Sequence, residues 1–131
     1  MTDRLLPAPV GLNAEFYKFC AQGEFRLQRC SACGAWRHPP RYRCASCSSD
    51  QYTWVAVSGR GRVYTWTVTH RPIDPAFTPP YAVLVVELEE GPRVVGNLRG
   101  MDASALALDL PVAVEIERAS DTVGLLWFRP A

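Results

Sequence analysis

The chain has 131 residues, 48% of them hydrophobic and 21% charged, which suits one compact unit, or one domain with a small appended module, and excludes a disordered chain. No apolar run reaches the roughly 20 residues that span a bilayer. The opening Met1 to Gly11 lacks a basic segment followed by a long apolar core, so no signal peptide is expected. The net charge of +1 conceals a division. From Lys18 to Arg71 the cations Lys18, Arg26, Arg29, Arg37, Arg41, Arg43, Arg60, Arg62 and Arg71 face only Glu24 and Asp50. Acids dominate afterwards, from Asp74 to Asp121. The front half could meet something anionic, and arginine suits bidentate contact with phosphate or carboxylate.

Met1 to Gly11 reads as an irregular arm with Pro7 and Pro9. Leu12 to Ala21 places Leu12, Phe16, Phe19 and Cys20 on one side of a short helix, with Asn13 as the expected N-cap and Gly23 as its end. Two turns of helix are marginal alone, so this piece must dock, on its own domain or on a partner. Cys20 reads as a buried small hydrophobe, with a reactive thiol as the lesser reading. Phe25 to Arg29 alternates and leads as a strand into Cys30-Ser-Ala-Cys33. Cys44-Ala-Ser-Cys47 follows after ten intervening residues.

Each C-x-x-C turn puts two thiolates on one side of a tight loop. Two such turns facing each other supply the four sulfurs of a closed tetrahedral Zn²⁺ site. A redox pair or two disulfides are the competing readings. A redox C-x-x-C occurs once and opens a helix, whereas this one occurs twice among Arg, Pro and aromatic residues. Cys30, Cys33, Cys44 and Cys47 are therefore expected to hold a structural zinc in a small ribbon. With no export signal, paired cysteines also point to the cytoplasm. Trp36 and Tyr42 are expected to cover the metal, with the exposed face of Trp36 as a second, contact reading.

Tyr52 to Val57, Arg62 to Thr69, Tyr81 to Leu88, Arg93 to Leu98, Pro111 to Glu117 and Val123 to Phe128 read as strands. His70 to Pro80 is a Pro-rich loop, and Asp102 is expected to cap one helical turn. Five alternating strands after the ribbon, with a helical connection before the fourth, suit a Greek-key barrel of the OB type. A β-sandwich is the alternative. The fold class is thus mainly β: a short N-terminal helix, a zinc ribbon, then a five-stranded OB-fold barrel. The expected division is residues 1–24 for arm and helix, 25–51 for the ribbon and 52–131 for the OB-fold domain.

No catalytic constellation stands out. His38 and His70 are far apart, and no serine lies in a nucleophile elbow. Gly59-Arg-Gly61 does not open a helix and reads as a turn. Arg60, Arg62, His70 and Arg71 are expected to cluster at strand ends with Phe77 and Tyr81 beside them, where cations and aromatics could hold a nucleotide or a pantetheine-linked phosphate. Alternation puts Tyr64, Trp66 and Val68 on one strand face, so Trp66 is expected in the core.

The whole pattern resembles a known family. It runs from Gly23-Glu-Phe-Arg-Leu-Gln-Arg-Cys30 through Pro39-Pro40-Arg41 and the second cysteine pair. It continues with Gly59-Arg-Gly-Arg-Val-Tyr-Thr-Trp66, Pro80-Tyr81, Glu90-Gly91, Gly96-Asn-Leu98 and Phe128-Arg-Pro130. These features are similar to those of the domain-of-unknown-function-35 (DUF35) proteins, the acyl-CoA-associated OB-fold family with a rubredoxin-like zinc ribbon. The resemblance implies a zinc-binding accessory subunit, not catalytic alone, that supports a thiolase-like or lipid-transfer-protein-type aldolase. Such enzymes act on acyl-CoA thioesters in lipid metabolism, including steroid side-chain degradation. A MaoC-like hydratase is a further implied partner, in a hetero-oligomer, with a CoA thioester as a possible ligand. The family's zinc ligands match Cys30, Cys33, Cys44 and Cys47, and no catalytic residue carries over. The residues of CoA or partner contact would be Arg60, Arg62, His70, Arg71, Phe77, Tyr81 and Trp36. A nucleic-acid-binding ribbon and OB module is the alternative function. The near-neutral charge and acidic second half weigh against it.

Overall fold

The structure, a computed structural model, describes residues 5–131. Of the expected arm, Met1 to Arg4 lie outside the described residues, and residues 5–10 carry no regular secondary structure. Helix α1 spans Gly11–Ala21 and starts ahead of the expected Asn13 cap. Val10 precedes it in an extended conformation and makes no side-chain capping bond. Its end is as expected. Gly23, at φ +80°, lets its N–H reach the Cys20 carbonyl at 2.9 Å while the Glu24 N–H reaches Phe19 at 2.9 Å, a paired closure that a left-handed residue permits. Phe16, Cys20 and Ala21 are buried, and the helix docks on this chain's own strands.

Strand β1 (Arg26–Cys30) is central in a three-stranded sheet, between β2 (Trp36–Arg37) and β3 (Tyr52–Ala56). β3, placed with the barrel on sequence grounds, pairs residue for residue with β1, from Cys30↔Tyr52 to Arg26↔Ala56. The sheet buries Leu27 on one side and, unusually, Gln28 and Arg37 as well. Gln28 exchanges two hydrogen bonds with the Arg41 backbone, donating to its carbonyl at 3.1 Å and accepting from its N–H at 2.8 Å. Arg37 donates to the Ser49 and Gln51 carbonyls at 2.8 and 3.0 Å. Buried polar groups need such partners. Here the partners are the two flanks of the second cysteine turn, so β1 and β2 hold that turn in place.

The barrel comprises β4 (Arg60–Thr69), β5 (Tyr81–Leu88), β6 (Arg93–Leu98), β7 (Pro111–Arg118) and β8 (Gly124–Pro130). It closes in the order β4-β5-β6-β8-β7. A 3₁₀ turn at Ala103–Ala105 precedes β7, and Asp102 caps it by accepting the Ser104 N–H at 2.9 Å. The core is Val63, Leu84, Val86, Val94, Val112 and Phe128, all fully buried. Each such side chain contributes about 1.5–3 kcal/mol through burial. A bulge in β4 between Val63 and Thr65 resets the alternation. Val63 points inward and Tyr64 is 47% exposed, while Trp66 and Val68 pack against the core beyond the bulge. Trp66 therefore meets its expectation and Tyr64 departs from it. Gly61 faces inward because a Cβ there would strike the Glu87 carbonyl; the Gly-x-Gly pair serves strand packing. No helix among the described residues is long and apolar enough to cross a membrane.

Candidate metal centre and contact surfaces

The two cysteine turns repeat one backbone design. In the first, the Cys30 N–H bonds the Ala35 carbonyl and the Gly34 N–H bonds the Cys30 carbonyl, at 2.8 and 3.0 Å. In the second, Cys44 and Ser49 make the first bond, and Ser48 and Cys44 the second, both at 2.9 Å. The residue after each second cysteine is left-handed: Gly34 at φ +80° and Ser48 at φ +66°. Glycine takes that conformation freely and serine does not, so the second turn carried a weaker sequence signal than the first.

The turns face each other and bring Cys30, Cys33, Cys44 and Cys47 together, with all four sulfurs within 4.8 Å of one another. Cys30 Sγ lies 3.6 Å from Cys47, and Cys33 Sγ 3.5 Å from Cys44. A Zn–S bond of about 2.3 Å in a tetrahedron sets sulfur separations of roughly 3.8 Å, so the donor set fits zinc. None of the five cysteines is in a disulfide. The Cys33 backbone N–H, and less strongly that of Ala32, pulls the Cys30 thiol down to about 6. Cys44 is lowered likewise by the N–H groups of Cys47 and Ser46. At Cys33 the Ala35 N–H also favours the thiolate, but the thiols of Cys44, Cys47 and Cys30 together outweigh it and push Cys33 up to about 12. Four thiolates at this spacing therefore need a dication between them. With four sulfurs in place no open position is left for water or substrate, which is the chemistry of a structural metal.

Trp36 is half-buried beside this centre, with the Arg29 guanidinium 4.8 Å over its ring. Tyr42 is 67% exposed. Its hydroxyl reaches back toward Gly11 at the start of α1, 3.5 Å from where a Cβ would stand, so Tyr42 does not provide the expected cover. Cys20 is buried in α1, and burial pushes its thiol up to about 12, which leaves it unreactive.

The expected cluster of cations is divided by the fold. Arg60 and Arg62 lie at the start of β4, and His70 and Arg71 follow its other end. Eight residues of strand put roughly 26 Å between Arg62 and His70. Arg60 is ion-paired with Glu89 at 3.1 Å. The groove of about 640 Å³ around Arg60 and Arg62 also contains Glu87, Glu89 and Asp109, so it is not a one-sign anion site. At the far end Phe77 and Tyr81 do come together, stacked at 5.2 Å. The later acids are largely committed to arginines. Arg99 bridges Glu115 and Glu117 at 3.1 and 3.5 Å and lies 4.1 Å over Trp127.

A second cavity, of about 550 Å³, escaped sequence reading because its walls come from separate parts of the chain: the arm at Leu5 and Pro7, α1, the His38–Pro40 loop, Phe77, and strands β6 and β8. His38 packs 5.2 Å from Phe16, and burial lowers its pKa to about 4. Above pH 6.5 the folded and unfolded states both carry a neutral imidazole. As pH falls, the unfolded chain takes up its proton first, so stability drops from about pH 6.5 and levels off below about pH 4, by about 3 kcal/mol in all. His38→Gln should remove about 2 kcal/mol of the difference between pH 7.5 and pH 5, read as parallel urea titrations of variant and parent. Equal pH slopes in the two proteins would mean that the imidazole is solvated.

Comparison with known proteins follows this geometry closely. Residues 18–53 match the family model described as the rubredoxin-like zinc ribbon domain of ChsH2, and residues 54–117 match its C-terminal OB-fold domain. The chain is 40% identical over 119 residues to a probable enoyl-CoA hydratase alpha subunit of Thermomonospora curvata, covering 91% of this chain and 37% of that protein. It is 43% identical over 100 residues to the 3-oxo-4,17-pregnadiene-20-carboxyl-CoA hydratase alpha subunit of Mycobacterium tuberculosis, covering 76% of this chain and 32% of that protein. The chain thus spans about a third of the length of these relatives. Among solved structures it superposes on a chain of the Ltp2-ChsH2(DUF35) aldolase with a TM-score of 0.87 and 38% identity, covering 95% of this chain and 98% of that one. A zinc ribbon built on four converging cysteines, joined to a closed OB barrel and matched along almost its whole length, makes this chain a member of the DUF35 family, of the ChsH2 type.

Proposed function

We propose that the chain is a non-catalytic accessory subunit that binds and supports a thiolase-like enzyme, of the lipid-transfer-protein aldolase type, acting on acyl-CoA thioesters. The match to a DUF35 chain of an aldolase, over 98% of that chain, carries the reading. The closed four-sulfur set supports it, because a saturated metal organises the fold and performs no chemistry. In this reading zinc is held by Cys30, Cys33, Cys44 and Cys47, the assembly is a hetero-oligomer, and the setting is the cytoplasm, consistent with unpaired thiols. A hydratase is the other enzyme class that the relatives' names support, and the family resemblance would make it MaoC-like. The pregnadiene-carboxyl-CoA name of one relative favours a steroid side chain as the acyl group. Contact with CoA is assigned to the loop end of β4, where His70 and Arg71 adjoin the Phe77–Tyr81 stack, and no longer to Arg60. Trp36 and the 72–80 loop are assigned to protein contact.

Affinity capture of the tagged chain from its own cells tests this. A thiolase-like or hydratase subunit recovered near one copy per chain is the expected result. Recovery of nucleic acid alone, released by moderate salt, would replace the proposal with the nucleic-acid-binding alternative.

A further inference from the structure

The 550 Å³ cleft has three unmet needs on one face of the molecule. The first is apolar. Phe16, Tyr17, Leu125 and Leu126 line it together with Val95, which is 59% exposed. β6 and β8 pair only at Asn97↔Trp127 and Leu98↔Phe128. Arg93 to Val95 therefore have no ladder partner in β8, whereas Gly96 lies against Leu126 and Phe128. The second is polar. His38 Nδ1 is buried without a hydrogen-bond partner, a situation that costs about 1–3 kcal/mol until a partner arrives. The third is charge. The cleft's ribbon wall runs on from Pro40 into Arg41-Tyr42-Arg43, all exposed. Arg26, Arg60, Arg93, Arg99, Arg118 and Arg129 each have a carboxylate within 4.0 Å; among the described residues Arg41 and Arg43 have none that close, although Arg43 donates to the Ser48 carbonyl at 3.2 Å and, after the Gln51 hydrogen bond, helps to lower the pKa of Asp50. A metal with four thiolates would carry two negative charges. The ribbon's Arg26, Arg29, Arg37, Arg41 and Arg43 against Asp50 still leave residues 25–51 net positive once it is loaded.

We propose that this cleft is the seat of the enzyme partner. An apolar side chain of that protein enters the cleft against Val95 and Phe16, a polar group beside it completes the hydrogen bonding of His38, and carboxylates meet Arg41 and Arg43. The exposed arginines and tyrosine beside the cleft fit a protein occupant, since both residue types are enriched at protein interfaces. A partner seated here would touch helix, ribbon and barrel at once and fix their relation. This inference rests on the accessory-subunit reading and adds the surface through which it operates.

Four tagged baits test it by capture from the protein's own cells, with the thiolase-like or hydratase subunit quantified per bait. They are the parent, Val95→Glu, the double variant Arg41→Glu/Arg43→Glu, and Leu108→Glu, an equally exposed site that lines neither cavity. Zinc content and melting temperature establish that each bait is folded; the substituted side chains are exposed. The expected result is an at least tenfold loss of enzyme on both cleft variants and none on Leu108→Glu. Parental capture by a folded Val95→Glu bait or by the folded double variant overturns the seat while leaving the accessory reading intact. No enzyme on the parent bait overturns the accessory reading, and the seat with it. Equal capture by all baits, with acyl-CoA turnover lost only in the cleft variants, reassigns the cleft to a small molecule.

Discussion

Cys44→Ser should yield a chain without zinc and without a folded ribbon. Structural zinc in such modules supplies roughly 10–16 kcal/mol of apparent folding energy, comparable to or larger than the whole stability of a small domain. The ribbon has little to fall back on. Its buried residues between Leu27 and Cys44 are Leu27, Gln28, Cys30, Arg37 and Cys44, of which only Leu27 is a large apolar side chain. The hydrogen bonds of Gln28 and of Arg37 Nη2 exist only while the second turn is in place, and Arg37 Nε and Nη1 are buried without partners even then. Losing one sulfur thus frees the turn and leaves two polar side chains buried without partners. The same result is expected for Cys30→Ser and for prolonged treatment with a strong chelator. Metal content by elemental analysis and β-structure by circular dichroism read it directly. Soluble, folded and zinc-free protein from both variants would show that the metal is dispensable to the fold.

Gly124→Ala should also destabilise the fold, although it adds a single methyl group. Gly124 opens β8 where α1 crosses the barrel. A Cβ at this position would strike the Cys20 carbonyl group and lie 2.7 Å from the Ala21 nitrogen. Overpacking typically costs about 1–3 kcal/mol when side chains can yield. Here the obstacle is backbone in the last turn of a helix closed by its own Gly23 and Glu24 bonds. The cost should therefore reach about 3 kcal/mol, a fall in melting temperature of about 10 °C. Since α1 forms one wall of the cleft, partner capture should weaken in parallel. An unchanged melting temperature would mean that the helix stands farther from the barrel than described.

Much of this molecule was legible because its signals are local. Cysteine spacing set the ribbon and period-two alternation set the barrel strands, while Gly23 and Asp102 marked where helical turns end and begin. What escaped depends on contacts distant in sequence. The bulge beside Tyr64 exists only relative to β5, and it turned that ring outward. β3 alternates as a barrel strand would, and only pairing with β1 assigns it to the ribbon. The burial of Gln28 and Arg37 had no local signal, because their partners lie 12 to 14 residues away. Arg60 and Arg71 looked like neighbours around a loop and stand at opposite ends of one strand. The cleft, lined by residues scattered from Leu5 to Trp127, had no local signature.

The most direct measurement is turnover of an acyl-CoA thioester by the chain alone, by its captured enzyme alone, and by the two recombined. The account expects no product from the chain alone, weak or unstable activity from the enzyme, and full activity when the two are mixed near one to one. Sustained turnover by the zinc-loaded chain alone would contradict it, and would place catalysis on residues of this chain.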